Sequence, residues 1–315
     1  MSALPVSRAD VEAAYALIAP HIRRTPVVQV APEDLGLDPA LPPLTFKLEQ
    51  LQHAGSFKAR GATYNLMTRD IPEAGVVGAS GGNHGAALAF AAGRAGVPAN
   101  IFVFTFTPAA KADRIRGYGA HVHPEASDFD TLMDKTHAFQ RETGALLVHA
   151  YDQPGTLMGQ GTVALEFMEQ SEVDTFLIAT GGGGLIGGMA AYIGDRAKIV
   201  SVEPEGAPTL RNALAAGRPV QSPAGGIAAD SLGPGQVGDL MFPIAEAFVD
   251  LAVTVPDDAI RRSWELLWDR LRIVVEPGGA TALAALISGA YVPAPGERIG
   301  VLLCGANTNI VQFPG

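Results

Sequence analysis

Residues 177–194 run for 18 positions without a charged side chain, the length of a membrane-crossing helix. Seven of the 18 are glycine, four of them consecutive at Gly181, Gly182, Gly183 and Gly184. Each glycine weakens a helix by about 1 kcal/mol relative to alanine, which opposes one helix across the whole stretch. The better parse is a buried strand over residues 175–179, a glycine turn, and a small-residue helix from about Leu185. Strands that feed helices in this way build parallel α/β sheets.

The rest of the chain continues the alternation. Short runs rich in Val, Ile, Leu and Phe predict strands at residues 45–48, 76–79, 100–105, 121–123, 146–149, 175–179, 199–202 and 300–303, with Ala-rich amphipathic stretches between most of them. Eight strands are many for one doubly wound sheet. Residues 75–149 form a strand-and-helix series of their own, read as a smaller α/β domain inserted into a larger one made of residues 1–74 and 150–315. Ser7 with Asp10 three positions later resembles a shortened capping box ahead of Val11, Ala14, Tyr15 and Ile18. Ile260, Trp264, Leu267 and Leu271 recur at helical spacing, which assigns both tryptophan-bearing turns to the core rather than to a ligand platform.

Composition bounds the function. With 48% hydrophobic and 17% charged residues among 315, disorder, collagen and coiled coil fit poorly. A net charge of -10 repels phosphate backbones and anionic headgroups, so neither nucleic acid nor a membrane is the expected partner. The single cysteine, Cys304, cannot form an internal disulfide, and the amino end lacks the pattern of a secretion signal; a cytoplasmic location is expected.

Three constellations carry chemistry. Lys58 follows Phe57 after a turn and near a helix start, where desolvation and positive potential destabilise its ammonium and favour an imine-forming amine; a snorkelling surface lysine is the bland alternative. Ser80, Gly81, Gly82, Asn83 and His84 fall between a strand and a helical run, so backbone N–H groups there can seat a carboxylate or phosphate. An ordinary connection with a structural histidine is the competing reading. Residues 181–184 have a large entropy cost and little packing value, so close approach to an anion explains them better. That anion is ambiguous, because Gly182, Gly184 and Gly187 satisfy G-x-G-x-x-G and Glu203 stands about 20 residues on, as in a dinucleotide site. A nicotinamide-dependent oxidoreductase is therefore a competitor. Co-occurrence separates the two: an amine, a phosphate cradle and a carboxylate loop together match an aldehyde-bearing, phosphate-bearing cofactor, and pyridoxal phosphate meets all three demands.

With these motifs in place, the sequence resembles the fold type II pyridoxal phosphate enzymes, and within them the serine/threonine dehydratase branch that includes serine racemase. The resemblance spans nearly the whole chain through Lys47-Leu48-Glu49, Ser56-Phe57-Lys58, residues 80–84, Gly159-Gln160-Gly161-Thr162, residues 181–184, Glu203-Pro204, Glu276-Pro277 and Cys304-Gly305-Ala306-Asn307. It implies a tryptophan synthase β-like α/β fold, with a parallel-rich twisted sheet in a large domain and a smaller inserted domain. It also implies Lys58 as the Schiff-base lysine and α-proton base, and Phe57, Asn83, residues 181–184, Leu185, Glu276 and Cys304 as cofactor contacts. Residues 80–84 would bind the substrate carboxylate. The implied reaction is β-elimination from L-threonine or L-serine to a 2-oxo acid and ammonia, by a homodimer.

Departures narrow this expectation. Gly81 stands where racemase-like relatives carry a second hydroxyl, so racemisation is expected to be slow relative to elimination. Thr209 replaces the second carboxylate of cation-activated relatives, beside Glu203 and Ala207, and no metal is expected. The chain ends at Gly315 without room for a carboxyl-terminal regulatory domain, so feedback inhibition is not expected. A serine or aspartate racemase, a hydroxyaspartate ammonia-lyase or a β-replacement synthase stays open within the fold, and a cofactor-free binding protein outside it.

Overall fold

The computed structural model describes residues 4–308, so the expectation about Gly315 lies outside them. Ten strands occur among the described residues: β1 Val27–Val30, β2 Leu44–Leu48, β3 Val76–Ala79, β4 Ala99–Phe104, β5 His121–Ala126, β6 Leu146–Leu147, β7 Thr175–Ala179, β8 Lys198–Pro204, β9 Leu251–Val255 and β10 Ile299–Leu303. They form two sheets, ordered β1-β2-β10-β7-β8-β9 and β5-β4-β3-β6. Every neighbouring pair is parallel except β1 with β2.

All eight sequence-predicted strands are present, and β1 and β9 are additions. Both lie at sheet edges with partly exposed faces, so neither reads as a continuous buried run. β6 is shorter than residues 146–149. At His149 the chain turns instead, because its Nδ1 accepts the N–H groups of Tyr151 at 3.3 Å and Asp152 at 2.8 Å. Ser7 caps the Arg8–Ile18 helix in a full capping box with Asp10. Of the two tryptophans, Trp264 is partly buried and donates Nε1–H to the Val275 carbonyl, whereas Trp268 is 46% exposed and corrects the expectation that both belong to the core. No helix among the described residues is long and apolar enough to cross a membrane.

Two helix contacts set the spacing between Lys58 and the glycine loop. The Pro154–Gln170 helix packs against the Lys58–Thr68 helix on one side and the Gly184–Ile193 helix on the other. A Cβ on Gly159 would lie 2.5 Å from Gly61 Cα, and one on Gly188 would lie 2.2 Å from the Leu157 carbonyl oxygen. Only glycine lets these backbones approach so closely. The first of these contacts is reinforced by an unexposed ionic cluster: Arg60 grips Glu49 in a bidentate pair and also meets Glu166, whose other partner is Lys47. Two cations and two carboxylates balance within it, as burial of charge requires.

Candidate active site

The three sequence constellations line one cavity of about 1060 Å³, together with Phe57, Leu185, Glu276 and Cys304. Lys58 reaches it because Ser56 forms a β-bridge to Gly305 and the Phe57 N–H donates to the Cys304 carbonyl at 3.1 Å, which fastens the start of the Lys58–Thr68 helix to the end of β10. Its Nζ donates to the Ala150 carbonyl at 2.7 Å and stands 5.1 Å from the centroid of the Phe57 ring. Burial pushes this amine down to about 8, against a small opposing pull from Cys304. The snorkelling alternative does not describe such a lysine.

Between β3 and the Asn83–Ala95 helix, the Ser80 hydroxyl accepts the Gly82 N–H at 3.1 Å. The next N–H groups open the helix and have no intrahelical acceptor, so they are available to an anion. Asn83 donates to Glu276 at 2.5 Å, while its Oδ1 is buried without a partner. With Glu276 protonated and donating to the amide oxygen, the same amide turned over presents its NH₂ to a ligand. The His84 side chain behaves differently: its Nε2 meets the Val148 carbonyl at 2.8 Å, and burial, then the nearby Lys58, push it down to about 3. Its imidazole is neutral and structural, leaving only its backbone to a ligand.

After β7, Gly183 takes φ +85° and caps the Gly184–Ile193 helix, a conformation that strains any other L residue. Contrary to the sequence argument, packing also demands these glycines. A Cβ on Gly182 would sit 2.6 Å from the Tyr151 ring, one on Gly183 2.5 Å from Met241 Cε, and one on Gly184 2.8 Å from Tyr151 Cα. Tyr151, Leu232 and Met241 thus pack against the Cα positions of the loop, leaving helix N–H groups and positive dipole for an anion.

Cys304 closes β10, buried, with its thiol 3.5 Å from the Gly278 carbonyl. Burial first, then Glu276, pushes it up to about 12, so it is a neutral group. Glu276 is itself raised by burial. Glu203 is not available to a ribose. Its carboxylate accepts the Leu210 N–H at 2.7 Å, the Arg211 N–H at 2.8 Å and the Thr209 hydroxyl at 3.0 Å, capping the helix that follows β8. Thr209 also lies 2.8 Å from the Gly181 carbonyl. Among the described residues no cluster of three His, Cys, Asp or Glu could hold a metal.

Sequence reasoning missed Ala150 and Tyr151, which touch the amine and the glycine loop, and Thr107. The run His149-Ala150-Tyr151-Asp152, mostly polar and set between a strand and a Pro-started helix, was the available signal for the first two.

The amine depressed by burial, the unpartnered Asn83 oxygen, the neutral thiol and the glycine cradle together accommodate a ligand with an aldehyde, a polar aromatic ring and a phosphate. Comparison agrees. The family model described as pyridoxal-phosphate dependent enzyme matches residues 18–305. The chain is 36% identical over 311 residues to a serine racemase of Oryza sativa subsp. indica, covering 96% of this chain and 91% of that protein. It is 37% identical over 276 residues to a phenylserine dehydratase of Ralstonia pickettii, covering 86% and 84%. The solved T.th. threonine deaminase superposes with a TM-score of 0.89 at 34% identity, covering 97% of this chain and 100% of that one. These similarities, with Glu203 spent on capping a helix, overturn the nicotinamide reading. The chain belongs to the fold type II pyridoxal phosphate-dependent enzymes, in their serine/threonine dehydratase family, and its cofactor is pyridoxal 5'-phosphate.

Proposed function

We propose that this enzyme is a hydroxyamino acid dehydratase, converting L-threonine or L-serine into a 2-oxo acid and ammonia by β-elimination. The observation that carries the proposal is the asymmetry of acid and base in the cavity. Lys58 is the one lysine lining it among the described residues, and Gly81 brings no side chain to the facing loop. Phenylserine dehydratase and threonine deaminase among the similar proteins support the same reaction type.

In this reading residues 181–184 and Leu185 would hold the cofactor phosphate, Phe57 would pack on its ring, Asn83 would bond its ring oxygen with Glu276 behind it, and Cys304 would face its nitrogen. Pyridoxal phosphate supplies the electron sink that makes the Cα–H of a bound amino acid acidic. Cys304 moderates that sink, since a neutral thiol cannot hold a proton on a ring nitrogen as a carboxylate would. The N–H groups of residues 80–84 orient the substrate carboxylate. With a pKa near 8, the Lys58 amine is poised to take the α-proton at neutral pH. The β-hydroxyl then departs as water, and hydrolysis returns that water to give oxo acid and ammonium. The proposal includes the division into residues 1–74 with 150–315 and residues 75–149, a cytoplasmic homodimer, and no resident metal.

Changing Lys58 to Ala tests the core of this reading. Turnover of threonine and serine is expected to vanish, with circular dichroism and cooperative unfolding retained; retained turnover overturns it.

Racemisation is the second reading, and one contact favours it beside the similarity to a serine racemase. Thr107 Oγ1 lies 2.7 Å from where a Cβ on Gly81 would be, so a hydroxyl does stand beside this loop. Chiral chromatography of reacted L-serine decides between them. Elimination without D-serine supports the proposal, and D-serine lost on changing Thr107 to Val supports the alternative.

A further inference from the structure

One wall of the cavity differs from the rest. Phe104, Phe106, Phe129, Leu132 and Tyr151 line it, Phe104 and Leu132 within one apolar cluster that also holds Ala79 and Leu147, while the cavity lining also includes the polar Gln221, Ser222, Gln236 and Asp239. The Phe104 and Phe106 rings stack with centroids 4.9 Å apart and planes 5° from parallel. Phe106 is 69% exposed and Phe129 53%, and these are the two strongly exposed apolar side chains that line the cavity among the described residues. Beside Phe129 a side void of about 30 Å³ opens, lined also by Met133, Leu147, Ala79 and Ala150. Ala79 immediately precedes the carboxylate loop, and the Ala150 carbonyl holds Lys58 Nζ. The apolar wall therefore begins next to both groups that would fix a substrate.

We propose that this wall is a subsite for an aromatic group on the substrate β-carbon, so that the preferred substrates are 3-aryl-serines ahead of serine and threonine. The inference rests on the dehydratase reading for its reaction, but on these side chains for its specificity. Atoms balance as for serine: the Cα–H and Cβ–O bonds of 3-phenylserine break, the water lost returns on hydrolysis, and phenylpyruvate and ammonium form without any oxidant.

Two measurements on the holoenzyme test it. Oxo-acid release is expected to give kcat/KM at least about tenfold higher for L-threo-3-phenylserine than for L-threonine, which is about 1.4 kcal/mol and within reach of one new aromatic contact. Changing Phe129 or Phe106 to Ala should erase most of that ratio. Calorimetry with L-phenylalanine and L-alanine, which lack the hydroxyl, should show at least about tenfold tighter binding of phenylalanine, and a narrowed gap in the same variants. Threonine turned over as well as or better than phenylserine, with equal binding of phenylalanine and alanine, overturns the subsite and leaves the dehydratase reading standing. No oxo acid from any substrate overturns the dehydratase reading, and the binding gap then decides the subsite alone.

Discussion

Raising the pH changes the fraction of the Lys58 amine able to attack an aldehyde, because only the neutral amine is a nucleophile. Burial holds this group at about 8 against an ordinary 10.5, so the proton leaves it earlier than it leaves a solvated lysine. At pH 7 about one amine in ten is then neutral, compared with about three in ten thousand for an exposed lysine, a difference of roughly 300-fold. Mixing apoprotein with pyridoxal phosphate in a stopped-flow instrument and following the change in visible absorbance measures the capture step directly. Its rate constant is expected to climb about tenfold per pH unit up to roughly pH 7.5 and to flatten above about pH 8.5. N-acetyl-lysine amide under the same conditions should still be climbing at about pH 9. If the protein's rate kept climbing in parallel with that control, Lys58 would be an ordinary solvated amine, and the contact with Ala150 and the depth of the cavity would contribute nothing to its reactivity.

Other perturbations probe the groups behind the site. Thr209→Val removes the one buried hydroxyl proton that the Gly181 carbonyl and Glu203 share, so urea unfolding should show a loss of about 1–3 kcal/mol and dialysis a faster loss of cofactor, with Thr209→Ser close to the parent; identical behaviour of the two variants would show that the hydroxyl is idle. Burial raises Glu203 from 4.5 to about 7, so the folded chain holds a proton that the unfolded chain has released. Stability should therefore fall as pH rises from about 4.5 to about 7, by at most about 3 kcal/mol, and Glu203→Gln should flatten that slope. Arg60→Met leaves buried Glu49 without a cation and Glu166 with Lys47 alone, and should cost about 3–5 kcal/mol in the same urea assay, far more than a surface pair would.

The parts of this molecule legible in its sequence are those whose cause is local. A helix cap at Ser7, a glycine turn after a buried strand, and a lysine at a helix start each declare themselves within a few residues. Glu203 shows where locality misleads. By spacing it resembled the acid of a dinucleotide site, yet Leu210 and Arg211, only seven and eight residues later, fold back to claim its oxygens. The packing of the glycine loop was hidden for another reason, since Tyr151, Leu232 and Met241 come from three separate segments. Most instructive is Gly159-Gln160-Gly161-Thr162, visible as a motif but without any chemistry of its own. The Pro154–Gln170 helix that bears it lends no residue to the cavity wall, yet the Lys58 helix and the Gly184–Ile193 helix each lie against it through glycine contacts. The separation between amine and cradle is thus set by how closely two pairs of backbones can approach across that helix. A side chain added at Gly159 or Gly188 would force the amine and the anion seat apart without touching either, which is why the most exacting constraint on this active site sits in a stretch that no inspection for reactive residues would select.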